Sequence, residues 1–322
     1  MTVYQIGSKG DEVRQIQTRL KELSLYAGVI DGDFGGGTFV AVKKFQQAQH
    51  LEADGKVGAT TWAKLFPPKN GVGGTILEAA IVKKPLEYRC LALTGAFETG
   101  MPIPDCSAGV SGDFDGQGIS FGVLQWCIGQ NSLQPLLQTM AGAHPDEFSE
   151  IFDDHTGELR AMLHASHTEQ MAWARRIQNL SNFVLNEPWR GMFKTLGRRE
   201  SFQQIEVEAA GKLFDAARAL CVEYGVHSER AVALLFDIKT QNGSISELVK
   251  AQIERDFTRL AAGSGEVERL RIIANRRAEA SNPRWVEDVR TRKLTIANGE
   301  GTVHGSHFDL AGQYGIRLVP VV

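Results

Sequence analysis

Twice within the first 66 residues a helical apolar stripe gives way to a short run of aspartate and glycine. The first run is Gly28-Val29-Ile30-Asp31-Gly32-Asp33-Phe34-Gly35, and the second is Asp54-Gly55-Lys56-Val57-Gly58. Glycine tolerates positive φ, and aspartate favours turns and helix starts, so each run has to reverse the backbone. Val13, Ile16, Leu20 and Leu23 precede the first run, and Val40, Val42, Phe45 and Ala48 lie between the two, both sets at helical spacing. The order is therefore helix, loop, helix, loop, short helix, with Thr38 and Thr60 as the expected helix-start residues. Phe66-Pro67-Pro68-Lys69-Asn70-Gly71-Val72-Gly73-Gly74 follows. Its prolines and glycines neither continue a helix nor pack, so residues 67–74 are expected to be a hinge between a unit at 1–66 and a second at 75–322.

A chain of 322 residues suits two domains, and 43% apolar content is enough to build real cores. Against 35 basic residues stand 38 acidic ones, a net charge of −3, which argues against a nucleic-acid partner. Nowhere do 18 apolar residues run together, so no membrane insertion is expected. The start, MTVYQIGSKGDEV, lacks the basic and apolar regions of a secretory signal, and synthesis in the cytoplasm as a monomer is the expectation. Cys90, Cys106, Cys127 and Cys221 show no C-x-x-C spacing. Cys90, Cys127 and Cys221 read as buried thiols, and a Cys106–Cys127 disulfide is disfavoured in a reducing compartment. His164 and His167 fall three apart within an expected helix, but no H-E-x-x-H accompanies them, so neither metal nor cofactor is expected.

The second unit reads as mainly α, with helices expected near 76–98, 131–141, 157–184, 201–225, 228–239, 244–262 and 264–279. Strand-like alternation is scarce. The last residues, 316–322, suit a short strand or an extended tie-down.

Chemistry concentrates in LALTGAFETGMPIPDCSAGVSGDFDGQGISFGVLQWCIG, residues 91–129. Glu98 ends an apolar helix, and Asp113 and Asp115 follow in a glycine-rich loop. A helix C-terminus and apolar neighbours both disfavour a carboxylate charge, which suits a general acid. Glycoside hydrolysis needs two carboxyl groups, one to protonate the leaving oxygen and one to activate water or attack. Seventeen residues separate Glu98 from Asp115, enough loop to face them across a groove. A single Glu or Asp is usually only a surface group, but the glycines beside Asp115 allow close approach of a ligand. Ser120 is placed to hold a water or a sugar hydroxyl. Gln125, a polar amide in an apolar run, needs a partner and is a candidate substrate contact. Asp113 and Gln117 join it, as does Trp126, whose indole suits a core as well as a sugar face.

Two resemblances sharpen this. GSKGDEVRQIQTRL, IDGDFGGGTFVAVKKFQ and LEADGKVGATTWAKL together resemble the small three-helix peptidoglycan-binding domain found at the ends of many cell-wall hydrolases. That implies a noncatalytic anchor whose partner is the peptidoglycan glycan strand. F-E-T-G followed by D-G-Q-G-I-S-F-G-V-L-Q-W-C-I-G resembles the catalytic segment of glycoside hydrolase family 46 chitosanases and, more distantly, segments of goose-type lysozymes and lytic transglycosylases. The resemblance implies a bilobed, helical, lysozyme-like fold, with Glu98 as general acid, Asp115 as general base and Ser120 in place of a water-orienting threonine. Asp113 is a rival for the base. The segment Leu235 to Gly243 resembles a helix end lining the cleft, which makes Gln241 and Asn242 candidate sugar contacts. Asn275-Arg276-Arg277, with Trp285 and Arg290 through Lys293, resembles the family's closing helices, and Arg276 or Arg277 is a candidate ion-pair partner near Asp115. The combined expectation is a peptidoglycan hydrolase of N-acetylmuramidase type, inverting if the two carboxyls lie roughly 6.5–9.5 Å apart. Lytic transglycosylase, chitosanase and noncatalytic wall-binding protein are the alternatives. The order of anchor and catalytic unit, with no leader visible, is that of a phage endolysin, a bacteriolytic enzyme released to the wall by a holin. A secreted antibacterial effector is the competing context.

Overall fold

The computed structural model describes residues 3–49, 51–66, 80–101 and 103–321. The expected hinge at 67–74, and residues 75–79 after it, lie outside the described residues.

The N-terminal unit consists of helices α1 (Asp11–Glu22), α2 (Gly36–Ala48) and α3 (Ala59–Leu65). Val13, Ile16, Leu20, Phe34, Ala41, Val42, Phe45, Val57 and Leu65 form its core. The helical stripes are those of the sequence, with one rotation. Val40 and Leu23 face water, and Ala41 turns inward beside Val42 and Phe45.

The repeated punctuation has a structural cause, a buried glutamine that holds each loop. Gln17 Nε2 donates to Asp31 Oδ1 (2.8 Å) and to the Asp33 carbonyl (3.0 Å), and it reaches Thr38 Oγ1; its Oε1 accepts the Gly32 amide. Gln46 repeats the pattern with Asp54 Oδ1, the Lys56 carbonyl, Thr61 Oγ1 and the Gly55 amide. The expected helix-start threonines are corrected by this. Gly35 and Gly58 occupy the N-cap positions, while Thr38 and Thr61, not Thr60, sit in the first turns as partners of the glutamines. Only glycine fits between the partners of the second loop: Gly55 has φ +74°, and a Cβ there would meet the Phe39 ring at 2.1 Å. Gln46→Ala strands the buried Gly55 amide and is expected to destabilise this unit by about 1–3 kcal/mol. The effect would appear as an earlier step in chemical denaturation of the full chain, whereas Thr60→Ala, at an exposed position, should leave that step in place.

The second unit opens with a 3-10 turn at Ala80–Lys83 and the buried helix α4 (Leu86–Thr99). Three short strands, β1 (Val110–Ser111), β2 (Ser120–Phe121) and β3 (Trp126–Cys127), form an antiparallel sheet in the order β1-β2-β3. Helices α5 (Leu133–Ala143), α6 (Pro145–Phe152), α7 (Thr156–His164) and α8 (His167–Arg176) follow, then the hairpin β4 (Gln178–Asn179) and β5 (Val184–Leu185). Next come α9 (Trp189–Gly197), α10 (Glu200–Ala209), α11 (Gly211–Tyr224), α12 (Glu229–Asn242), α13 (Glu247–Phe257), α14 (Glu266–Glu279) and α15 (Val286–Asn298). A hairpin of β6 (Glu300–Val303) and β7 (Ser306–Asp309), with the short α16 (Leu310–Tyr314), completes the unit.

The expected helix at 157–184 is broken in the structure. Ser166 and Glu169 form a capping box that starts α8 afresh, and the chain then turns into the β4–β5 hairpin. His164 and His167 therefore lie on different helices, which removes even the spacing that a metal site would use. Among the described residues no group of histidine, cysteine and carboxylate side chains is arranged to hold a metal ion. All four cysteines are buried free thiols. The C-terminal segment is the extended tie-down: Glu229, Arg230 and Val321 donate amide hydrogen bonds that link it to the start of α12.

Two hydrophobic cores divide this unit into lobes. One is built from α4 and α11 to α16. The other lies among β2, β3 and α5 to α10. Trp126 packs against both, so its indole joins the lobes. At the same junction Glu206 of α10 is fully buried, and its Oε1 accepts the Val123 amide at 2.9 Å. Gly122, with φ +85°, makes room for it, since a Cβ there would lie 2.2 Å from that oxygen. Burial pushes the Glu206 carboxyl up to about 8, with the Val123 amide and Ser107 opposing. The folded chain thus keeps a proton that an unfolded glutamate, near 4.5, releases. This contribution to stability is complete below about pH 4.5 and is lost as pH rises through about 8. Glu206→Gln is expected to flatten the fall in Tm measured between those values.

Candidate active site

Helix α4 is buried from Tyr88 through Phe97, and its last turn surfaces at Glu98 and Thr99. Gly100, at φ +68°, stops the helix there in the left-handed conformation. Glu98 is therefore held on the end of a rigid core element with its side chain 47% exposed. It is not surrounded by apolar groups, as the sequence suggested. Its Oε1 lies 2.5 Å from Nη1 of Arg292, a residue 1% exposed.

Arg292 is itself fixed. Its Nη2 lies 2.6 Å from Asp237 Oδ1, and its Nε bonds both carboxylate oxygens of the same residue. Thr94 Oγ1 donates to Asp237 Oδ1, and the buried Lys293 ammonium contacts Asp237 Oδ2 and donates to Gln241 Oε1 at 2.6 Å. Burial alone would raise the Asp237 carboxyl, but Arg292 and Lys293 outweigh it and hold it well below the usual carboxylate range. Burial pushes the Lys293 ammonium down, with Asp237 opposing and Arg292 adding to the shift. The result is a chain of fixed charges running from the core of one lobe out to Glu98.

Glu98 opens into a groove of about 370 Å³ together with Thr99, Gly109, Val110, Ser111, Val123 and Gln125. Val123 belongs to the core of one lobe and Val110 packs on the core of the other, so the groove runs where the lobes meet. Gln125 lines it in a left-handed conformation, and its amide donates to the Gly122 carbonyl at 2.8 Å. That is the partner its place in an apolar run required.

The glycine-rich loop is braced from below. Gly112 and Asp113 donate their amides to the Phe183 carbonyl and to Gln178 Oε1 of the β4–β5 hairpin. The Asp113 carboxylate accepts from the Gly118 amide and from Arg175 Nε, both at 2.7 Å. Burial works against its charge, but Arg175 and the Gly118 amide hold it below the usual carboxylate range. Asp113 is thus occupied as the clamp of its loop. Asp115 stands exposed at the loop tip and accepts the Gln117 amide at 3.1 Å. It is not among the residues lining the groove with Glu98.

The expected pairing of Arg276 or Arg277 with Asp115 does not form. Arg276 binds Asp256 and Glu279, and among the described residues Asp115 has no ion pair. Ser120 is buried on β2 opposite Ser111 and Cys127. Gln117 contributes its carbonyl to the Gly129 amide. Of the two amides at the end of α12, Gln241 is engaged by Lys293, and Asn242 Oδ1 is buried without a partner among the described residues.

Sequence reasoning did not single out Asp237, Arg292, Lys293 or Glu206. Asp237 did carry a signal, since an acid inside Ala231-Val232-Ala233-Leu234-Leu235-Phe236 and Ile238 cannot stay charged without a partner. The identity of that partner carried none.

Comparison with known proteins places the N-terminal unit. Residues 9–65 match the family described as putative peptidoglycan binding domain, and the chain carries that domain at its N-terminus. The chain is 44% identical over 68 residues to a spore cortex-lytic enzyme of Oceanobacillus iheyensis, which is 21% of this chain and 25% of that protein. It is 43% identical over 65 residues to a zinc D-Ala-D-Ala carboxypeptidase of Streptomyces albus G, 19% of this chain and 24% of that one. It is 38% identical over 65 residues to the N-acetylmuramoyl-L-alanine amidase CwlM of Mycobacterium tuberculosis, 20% of this chain and 16% of that one. The chain thus spans a quarter or less of the length of these relatives. Among solved structures it is similar to a family 46 chitosanase of Gynuella sunshinyii in complex with chitotetraose, with 15% identity and a TM-score of 0.41, covering 69% of this chain and 96% of that one. It is also similar to a native chitosanase of Bacillus subtilis MY002, with 19% identity and a TM-score of 0.40, covering 67% and 87%. No helix among the described residues is long and apolar enough to cross a membrane.

Proposed function

We propose that this protein is a glycoside hydrolase of the bacterial cell wall that cuts the β-1,4 glycan backbone of peptidoglycan, of N-acetylmuramidase type. The observation that carries this reading is Glu98, a carboxyl group on the end of a core helix, facing the groove between two lobes and steered by a buried arginine that another acid immobilises. In this mechanism the strand lies in the groove, and Glu98 protonates the leaving glycosidic oxygen. Asp115, on its braced loop, activates the attacking water, with inversion at the anomeric carbon. The N-terminal domain holds the enzyme on its polymeric substrate and raises the local concentration of strands at the groove.

One observation favours a second reading. Asp115 stands outside the residues that line the groove with Glu98, and a lytic transglycosylase uses no second carboxylate as base. Digestion of purified peptidoglycan separates the two by product. Hydrolysis gives a new reducing N-acetylmuramic acid end, and transglycosylation gives 1,6-anhydro ends by mass spectrometry. Asp115→Asn is expected to lower hydrolysis roughly 100-fold or more. Unchanged turnover with anhydro products would replace the first reading by the second, and intact sacculi after prolonged incubation would remove both.

A further inference from the structure

The helices that frame Glu98 share a register. Arg89 pairs with Glu229 at the start of α4 and α12, and Thr94 meets Asp237 further along, so these two helices run side by side in the same direction. α15 runs the opposite way, since Arg230 reaches the Ala297 carbonyl while Lys293 reaches Gln241. α14 precedes α15 and packs along it as a helical hairpin. The C-terminal turns of α4, α12 and α14 and the first turns of α15 therefore converge at the end of the lobe where Glu98 meets the groove.

Four polar side chains at this end have buried atoms without partners among the described residues: Thr240 Oγ1, Asn242 Oδ1, Arg277 Nε and Arg290 Nε. The guanidinium of Arg277 has no hydrogen bond or ion pair at all among the described residues, although it is half-buried. Burial pushes its pKa down, and no carboxylate opposes the shift. Arg290 has only Glu287 at 3.2 Å, a residue 78% exposed. Glu98 and Asp237 are already matched by Arg292 and Lys293, and Arg290 has Glu287, so Arg277 is the positive charge left over. A half-desolvated guanidinium is costly without an anion, and its planar fork fits a carboxylate.

We infer that Arg277 and Arg290, with the Thr240 hydroxyl, form a subsite for a carboxylate carried on the amino-sugar strand. This rests on the glycan-cleaving reading of Glu98, and it assigns the substrate to acidic strands over polycationic glucosamine polymers. The carboxylate has two chemical sources, the lactyl group of a muramic acid without peptide and the free carboxyls of a stem peptide.

The test is steady-state cleavage by the full-length enzyme, because turnover reads the groove and not the anchor. Three soluble hexasaccharides serve as substrates: neutral N-acetylglucosamine, a strand alternating N-acetylglucosamine with peptide-free N-acetylmuramic acid, and the same strand with stem peptides on its lactyl groups. The wild type should show a lower KM for an acidic strand than for the neutral one, and the strand that gains most identifies the source. Arg277→Gln should raise that KM about tenfold with kcat held and leave the neutral strand unchanged. Arg290→Gln should act in the same direction, and Arg277→Lys should restore part of the loss. Equal KM for neutral and acidic strands in the wild type, or equal damage to both in the variants, overturns the subsite while leaving the glycan-cleaving reading intact. Failure of the wild type to cleave any of the three overturns that reading, and the subsite with it.

Discussion

Glu98→Gln is expected to lower glycan cleavage roughly 100- to 10,000-fold, the range lost when a positioned general acid is removed. The fold should survive. The side chain is about half exposed, and a glutamine Oε1 still accepts from Arg292, whose stronger ties are to Asp237. The core of α4 lies in the preceding turns, Tyr88 to Phe97, which the substitution leaves alone. Turnover of purified sacculi, together with a thermal melt of the same preparation, checks both halves. A variant that melts with the wild type and cleaves within threefold of it would remove Glu98 from the chemistry and leave only the wall-binding domain explained.

Asp237→Ala is expected to be the most destabilising single change in the second unit. It removes one acid, leaving Lys293, at 0% exposure, without a counter-ion and Arg292, at 1%, with Glu98 alone. Breaking a buried ion pair from one side costs about 3–5 kcal/mol, because the remaining charge stays desolvated. For a unit of this size that corresponds to a fall in Tm on the order of 10 °C. The substitution also frees Arg292, so turnover per folded molecule should drop even well below the melt. The wild-type pair carries its own pH signature. Arg292 and Lys293 hold the Asp237 carboxyl below its ordinary value near 3.8, so its contribution to stability is present above that value and is lost as pH falls further. Melts taken from pH 6 down to pH 2 should show this acid limb in the wild type and a reduced one in the alanine variant. A variant Tm within 2 °C of the wild type would mean that the network contributes little to the fold.

The elements the sequence disclosed are the ones that local rules control. The stripe of Val13, Ile16 and Leu20, the Asp-Gly turns and the apolar run into Glu98 each act within a few residues of one another. Among the helices, the differences from expectation are local. Val40 was placed inside where Ala41 belongs, Thr60 stood for Thr61, and one long helix was expected where α7, α8 and a hairpin stand. The first two are displacements of one residue, and the third replaces the end of an expected helix by strands.

Amino-acid order alone determined that the chain has a three-helix N-terminal unit with paired turns, a largely helical second unit, and a glutamate at the end of a buried helix. These follow from helical period and turn chemistry, which are properties of neighbours along the chain. Only the tertiary structure decided what that glutamate faces. Glu98 and Arg292 are 194 residues apart, and Arg292 and Asp237 are 55 apart. It also decided that Asp113 clamps its own loop, that Trp126 joins two cores, and that Arg277 is left without a counter-ion. A charge taken out of water must find its opposite wherever packing brings one, and no short-range pattern records where that will be.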